Sequence, residues 1–426
     1  WAARTGGGRG AGPSRLFHSV ISKSGIVGRD LLRRGWLQTK EVSKAEVLIV
    51  HNKAGMPFQR LSRWQLPNRL QREDALSHKS DMYNALMELK RARPETDVSF
   101  LPETYILTDA ASRDACVDAL SASIVGGKLQ FPWVIKQPHL DAGEGIEFAP
   151  TVADVRALIE KIEAGRANKL LVQRYLTNLL TLPDGRKFDL RVYWLIASID
   201  PVLVFFRDGT VRATATALNL DESGFQDVRA HMTNAKVQQT RLAGHTGAGA
   251  GAATKSKFAR QGGVETIDPE RLRLTMAELT EVLVAAFPEH PDPYGAIVCQ
   301  MERALATAFE SARAKMVNEH VATDNAFSLL GADFMVDTDC KVWLTELQSA
   351  PGVATETAAS REVWESMVPE MMDIVLEVRE KQAAGAEVSL PLAAVRHMRP
   401  IVQGGAWELP LPECQTMLDI DPDWVL

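Results

Sequence analysis

Apolar residues recur along this chain at two spacings. A period near 3.6 marks a helix with one buried face, and a period of two marks a strand. In 27–38 (VGRDLLRRGWLQ), Leu31, Leu32 and Trp36 fall on one side of a predicted helix, and 45–51 (AEVLIVH) reads as a buried strand. In 73–93 (EDALSHKSDMYNALMELKRAR), Leu76, Met82 or Tyr83, Leu86 and Leu89 hold helical spacing, and Pro94 helps stop the pattern. Residues 131–137 (FPWVIKQ) form a strand by their aromatic and β-branched content. GEGIEFA follows after a turn-rich loop. Residues 151–164 are a helix opened by Thr151 as N-cap, with Asp154 three places on. LLVQRYL (170–176) is another buried strand.

The densest signal lies in 186–218. RKFDLRVYWLIASI and PVLVFFRDGTVRATATAL alternate as strands, and Asp208-Gly209 is the strongest hairpin signal in the chain. Helices are predicted over 271–287 and 299–317, a strand pair over 327–337 and 341–348 across a turn at 337–339, and a helix over 361–381. The Gly-rich start and the Gly/Ala/Ser-rich stretch 240–263 read as unstructured and as a mobile insert. These patterns divide the chain into a disordered segment 1–15, an N-terminal domain 16–75, a central domain 76–175, a C-terminal domain 176–380 and a Pro-rich tail 381–426. No internal repeat is seen.

Composition narrows the class. Of 426 residues, 46% are hydrophobic and 24% charged, which excludes wholesale disorder, collagen and a simple coiled coil. A net charge of −6 opposes a general nucleic-acid coat. The four cysteines lie far apart and read as reduced thiols of a cytosol-like compartment. Nine scattered histidines offer no HxxxH, so zinc chemistry is not expected. The apolar run 192–206 is broken by Asp200-Pro201 and is too short for a bilayer, and no secretory signal is seen.

Candidate chemistry sits on strands. Lys187, Asp189 and Arg191 share one strand face, while Phe188, Leu190 and Val192 share the other. That charged face is either solvated or turned toward a polyanionic ligand with a metal. Glu346 and Gln348 share a face, and Asp333 lies on the strand expected to pair with theirs. Two carboxylates and an amide oxygen suit Mg²⁺; salt-bridged strand residues are the alternative. Lys136 closes a strand before a glycine-containing loop with Gly143 and Gly145, an arrangement that can pair phosphate oxygens. Arg191, Arg207 and Arg212 add cationic forks, with Arg207 placed beside the expected hairpin turn. His231, Thr233 and Asn234 form a polar cluster that alone reads as a turn or cap. No serine elbow, Cys–His pairing or GxxxxGK[ST] loop is present.

In order and spacing, VQRYL, GRKFDLRVYWLI, RDGTVRATAT, HMTN and GADFMVD…KVWLTELQSAPG resemble the tubulin–tyrosine ligase-like family, over residues 16–378. Lys79 within SHKSDMYNAL resembles that family's earlier lysine-bearing helix. The resemblance implies an α+β fold of the ATP-grasp kind, with ATP between two mainly antiparallel sheets and a small N-terminal α/β domain. It implies that Lys136, Gly143 and Gly145 contact phosphates and that Gln173, Arg174 and Leu176 edge the adenine. Lys187, Asp189 and Arg191 would serve nucleotide and acceptor and act catalytically. Arg212, Thr233 and Asn234 would complete the ATP and substrate sites, and Asp333, Glu346 and Gln348 would hold Mg²⁺. The family usually has Asn where Gln348 stands, and an apolar residue where Thr345 stands.

The activity so implied is ADP-forming carboxylate–amine ligation through an acylphosphate, adding tyrosine, glutamate or glycine to a tubulin tail. Such chemistry needs positioning and charge stabilisation rather than a protein nucleophile. Two readings compete: a catalytically impaired binder of tubulin or another protein tail, and an ATP-grasp ligase for another peptide or small acid. The expected partners are the acidic tubulin tail and a free amino acid, with no nucleic acid and no membrane. The chain is expected to be a cytoplasmic monomer, at the cytoskeleton or cilium. Arg33 with Arg34, Lys90 with Arg91 and Arg93, and Lys255 with Lys257 and Arg260 are candidate tail contacts.

Overall fold

The computed structural model of the chain describes residues 15–20, 25–51, 53–137, 145–167, 169–238, 267–316, 326–353 and 355–404. The segment 1–14, the insert 240–263, Gly143 and the tail beyond 404 lie outside the described residues.

The first sheet is parallel. Strands β1 (Leu16–Ser19), β2 (Leu37–Gln38), β3 (Val47–Ile49) and β4 (Leu66–Pro67) run in the order β2-β1-β3-β4. Helix α1 (Ile26–Arg33) is shorter than its apolar pattern predicts. Gly35 turns the chain at φ 81, and the Trp36 N–H reaches back to the Leu31 carbonyl. Leu31 and Trp36 are therefore buried, while Leu32 is exposed. The single helix expected over 73–93 is two, α2 (Asp74–Ser77) and α3 (Lys79–Ala92). His78 between them is extended, and it sets Lys79 at the first position of α3.

The second sheet carries one wall of a cleft. Strand β5 (Thr104–Ile106) is followed by α4 (Ala110–Ala122) and a small hairpin, β6 (Ile124–Val125) with β7 (Lys128–Leu129). Strands β8 (Trp133–Lys136), β9 (Ile146–Ala149) and β10 (Leu171–Arg174) join β5 in the antiparallel order β5-β10-β8-β9. Between β9 and β10 lies α5 (Val152–Glu163), opened by the predicted Thr151–Asp154 capping box. Alternation sends Trp133 and Ile135 into the core under α4 and α5, and leaves Val134 and Lys136 on the opposite face.

The third sheet carries the other wall. Strands β11 (Arg186–Ile199) and β12 (Val202–Ala217) form its long central hairpin, and α6 (Ala235–Gln238) follows. With β13 (Arg273–Leu274), β14 (Ser328–Val336) and β15 (Val342–Gln348) the order is β13-β12-β11-β14-β15. Helices α7 (Met276–Ala286) and α8 (Pro293–Met316) cover Leu190, Val192, Trp194 and Phe206 on one face. Helix α9 (Ala358–Ala383) covers Tyr193, Leu195 and Phe205 on the other.

Several expectations need correction here. The turn of the β11–β12 hairpin is Asp200-Pro201, not Asp208-Gly209, which lies inside β12. Glycine stands at 209 because the β11 backbone crosses closely: a Cβ there would sit 1.8 Å from the Arg191 carbonyl oxygen. Arg207 is accordingly mid-strand and donates to the Ser366 hydroxyl at 3.0 Å. The tail is not wholly apart either. A strand β16 (Arg399–Gln403) pairs with β12, and the Glu370 carboxylate accepts the N–H groups of Arg396, His397 and Met398 at 2.6, 2.7 and 2.9 Å. Nor are all the cysteines reduced. Cys116 and Cys340 are free and buried, but Cys299 is disulfide-bonded. Among the described residues, no helix is long and apolar enough to cross a membrane.

Candidate active site

The second and third sheets face each other across a cleft. Of the residues expected at a site, Lys136, Gln173, Arg174, Leu176, Lys187, Asp189, Arg212, Thr233, Asn234, Asp333 and Glu346 all line it, with Lys79. Arg191 lies immediately behind them, and Gly145 ends the segment leading to Ile146, which lines the cleft. Gln348 is not among the lining residues.

The charged face of β11 is buried rather than solvated: Lys187 is 3% and Asp189 4% exposed. Its charges meet their cross-strand partners, which antiparallel pairing sets side by side. Asp189 opposes Arg212 on β12, and Arg191 opposes Asp333 on β14. Arg212 Nε donates to Asp189 Oδ1 at 2.5 Å, and Arg212 Nη2 to Asp333 Oδ2 at 2.7 Å. Arg191 grips Asp333 with two bonds, 2.5 and 3.0 Å. Asp189 Oδ2 takes the Thr233 hydroxyl. Burial works against charge in this network, but the two guanidiniums hold Asp333 below the usual carboxylate range, and the two carboxylates hold Arg212 raised. Gly331, opposite Gln348, leaves room for the Arg191 side chain, whose Cδ would lie 3.5 Å from a Cβ at 331.

Glu346 opposes Asp333 across β14–β15, where an irregularity between Asp333 and Phe334 adds Thr345 to the same wall. Thr345 donates to the Asp333 carbonyl at 2.9 Å, and Glu346 accepts Lys79 Nζ at 3.0 Å. Lys136 Nζ donates to Gln173 Oε1 at 2.7 Å, and Gln173 Nε2 donates to Thr104 at 2.8 Å. Gln173 thus aims a lysine, besides bordering the apolar slot of Val134, Ile146, Phe148, Tyr175, Leu176 and Met335. Arg174 lays its guanidinium 3.9 Å over Phe131.

Burial lowers Lys136 and Lys187 to about 8 each, with Glu346 and Asp189 pulling the other way. Lys187 Nζ donates to the His231 carbonyl at 2.7 Å. Burial, then Lys187, push His231 down to about 4. Its ring stacks on Phe225 at 4.4 Å, with Tyr175 hydroxyl 2.8 Å from Nδ1, so it is a neutral wall residue and not a base. Tyr175 and His231 were missed as site residues by sequence reasoning. The signal present was their place within QRYL and HMTN, next to residues that were picked.

A magnesium site can be tested against this donor set. Mg²⁺ takes hard oxygens and usually only one or two carboxylates beside phosphates. Asp333 and Glu346 fit that requirement, facing one cleft from neighbouring strands. Gln348 does not reach the lining. Among the described residues no cluster of three or more His, Cys, Asp or Glu could hold a metal alone.

Two largely antiparallel sheets closing on a cleft of lysines, arginines and paired carboxylates define a protein of the ATP-grasp class. The model of the tubulin-tyrosine ligase family matches residues 58–280 and 294–383, well over half of the chain, and the chain belongs to that family. It is 27% identical over 324 residues to the human protein named inactive polyglycylase TTLL10, covering 72% of this chain and 43% of that one. It is 26% identical to protein polyglycylase TTLL10 of Macaca fascicularis, over 72% and 46% of the two chains. Against mouse tubulin polyglutamylase TTLL5 the identity is 22%, over 74% and 21%. The chain thus spans less than half the length of these curated relatives.

Proposed function

We propose that this chain is an ATP-dependent, ADP-forming ligase that joins an amino acid to a side-chain or terminal carboxylate of a tubulin tail. One observation carries this reading: Lys136, Lys187, Asp189, Arg212, Asp333 and Glu346 converge on one cleft. Phosphoryl and acyl transfer need charge and alignment, which this set supplies. In the proposed reaction the acceptor carboxylate takes the γ-phosphoryl group of ATP, ADP leaves, and the amine of the amino acid displaces phosphate.

The roles follow from position. Lys136 and Lys187, lowered by burial yet largely protonated at neutral pH, pair phosphate oxygens. The apolar slot beside Gln173 and Leu176 takes the base. Arg191 is held by Asp333, and Arg212 by Asp189 and Asp333, so both are rigid beside the developing oxyanion. Asp333 and Glu346 would hold Mg²⁺, which when bound neutralises phosphate charge. Tubulin as partner is supported by what the relatives' names say they modify. A cytoskeletal address follows from that reading. Of the basic clusters, Arg34 is bonded to Asp30 and Asp373 at 2.5 Å each, and Arg93 pairs with Glu310 at 3.3 Å, so neither is spare for a tail. Lys255, Lys257 and Arg260 lie outside the described residues.

Replacing Glu346→Gln and following ADP release with tubulin and mixed amino acids tests the metal role; unchanged turnover overturns it. Mass spectrometry of the tubulin identifies the amino acid. A second reading, a binder without catalysis, is favoured by Gln348 and by the human relative's printed name. Mg-ATP binding without ADP formation selects it.

A further inference from the structure

We propose that Arg273 supplies the guanidinium of a carboxylate-binding subsite at the β13 edge of the charged sheet face, receiving a substrate carboxylate rather than a nucleotide phosphate. This rests on the ligase reading and gives it a place for a second substrate. Cross-strand partners share a face, and Arg273 opposes Arg212, which in turn opposes Asp189. Arg273 therefore stands one strand beyond Arg212, adjoining the residues that line the cleft.

Charge here is unbalanced. Three guanidiniums, Arg191, Arg212 and Arg273, gather around two carboxylates. Asp333 is bonded by Arg191 and Arg212, and Asp189 by Arg212 and Thr233, and none of these bonds involves Arg273. Among the described residues, no hydrogen bond or ion pair ties the Arg273 side chain. Burial, then Arg212, lower it to about 10, with Asp189 opposing. A partly buried cation set against two others is relieved by an anion.

Two features select a carboxylate. The planar guanidinium fork matches a carboxylate bidentately. The groups that influence Arg273 also include Arg191 and Tyr193, which follow Asp189 along β11, whereas Lys187 precedes it. Register thus sets the subsite level with Asp189, displaced along that face and two strands across from the phosphate-pairing Lys187. Both substrates of a carboxylate–amine ligase carry this group: the free amino acid and the acidic acceptor.

The test is equilibrium binding of four probes, with and without a non-hydrolysable ATP analogue. They are free glycine, glutamate and tyrosine, and a glutamate-rich peptide with blocked termini. R273Q should weaken at least one probe by about tenfold or more, the loss of a charged hydrogen-bonded pair, and R273K should restore part of it. Analogue affinity should stay within about twofold, since Arg273 touches no phosphate. Loss confined to the free amino acids assigns the donor carboxylate; loss confined to the peptide assigns the acceptor. Unchanged binding of every probe, no probe binding to the wild type, or equal weakening of the analogue overturns the proposal. Wild type that binds a carboxylate probe but not the analogue instead sinks the ligase reading alone.

Discussion

Lys136 and Lys187 are the residues whose ionisation should be seen first. Burial lowers both to about 8, so each loses its proton as pH rises through that value. Nucleotide affinity should therefore fall between pH 7 and 9, and a fluorescent ATP analogue titrated at both ends checks this. His231 titrates in the other direction. Its folded value, about 4, lies below the ordinary 6.5, so the unfolded chain binds more protons between the two. Stability should then drop as pH falls from 6.5 toward 4, by an amount on the order of 3 kcal/mol. Denaturant midpoints across that window read the slope, and His231→Gln should flatten it. Much at this scale was legible: KFDLR sends three charges to one face because strand side chains alternate. Arg273 was not, since nothing in RLRLT says that its neighbours across the sheet are already paired.

Elements were less faithful to local signals. Asp208-Gly209 is the strongest turn dipeptide in the chain, yet it is mid-strand, because the hairpin reverses eight residues earlier at Asp200-Pro201 and glycine serves close packing instead. Gly209→Ala should drive a methyl group into the Arg191 carbonyl and cost more than about 3 kcal/mol, visible as a lower denaturant midpoint. An unaltered midpoint would mean that β11 and β12 separate readily. The C-terminal strand offers a second check. Glu370→Ala strips the acceptor from three backbone N–H groups and should cost about 3 kcal/mol. Hydrogen exchange should then show β16 opening before the central hairpin. The periodicity of 73–93 was read correctly as helical, but the extended His78 that divides it leaves no mark in apolar spacing.

Across the whole molecule, Lys79 on α3 reaches Glu346 on β15, and Lys136 faces the third sheet from the second. A ligand bound in this cleft touches both sheets, so it should stabilise the folded chain as a unit. With ATP analogue and Mg²⁺ at about 100 times Kd, linkage predicts about 2.7 kcal/mol. Chelation by EDTA should remove part of that gain, and Glu346→Gln should make the chelator ineffective. Thermal midpoints with and without each component measure this. Equal stabilisation with and without Mg²⁺ would argue that Asp333 and Glu346 serve their cationic partners alone.

By itself the chain determined what short-range physics decides: which stretches are strands or helices, which face of each is apolar, and which charges must lie together. Alternation and helical period act over a few residues, so they survive in one dimension. Tertiary structure alone decided which strand stands beside which, and with it the Arg212–Asp189 and Arg191–Asp333 pairs, the placing of Arg273 beside Arg212 and the capture of residues 399–403 by β12. Strand register joins residues up to about two hundred positions apart, and no local pattern carries that information.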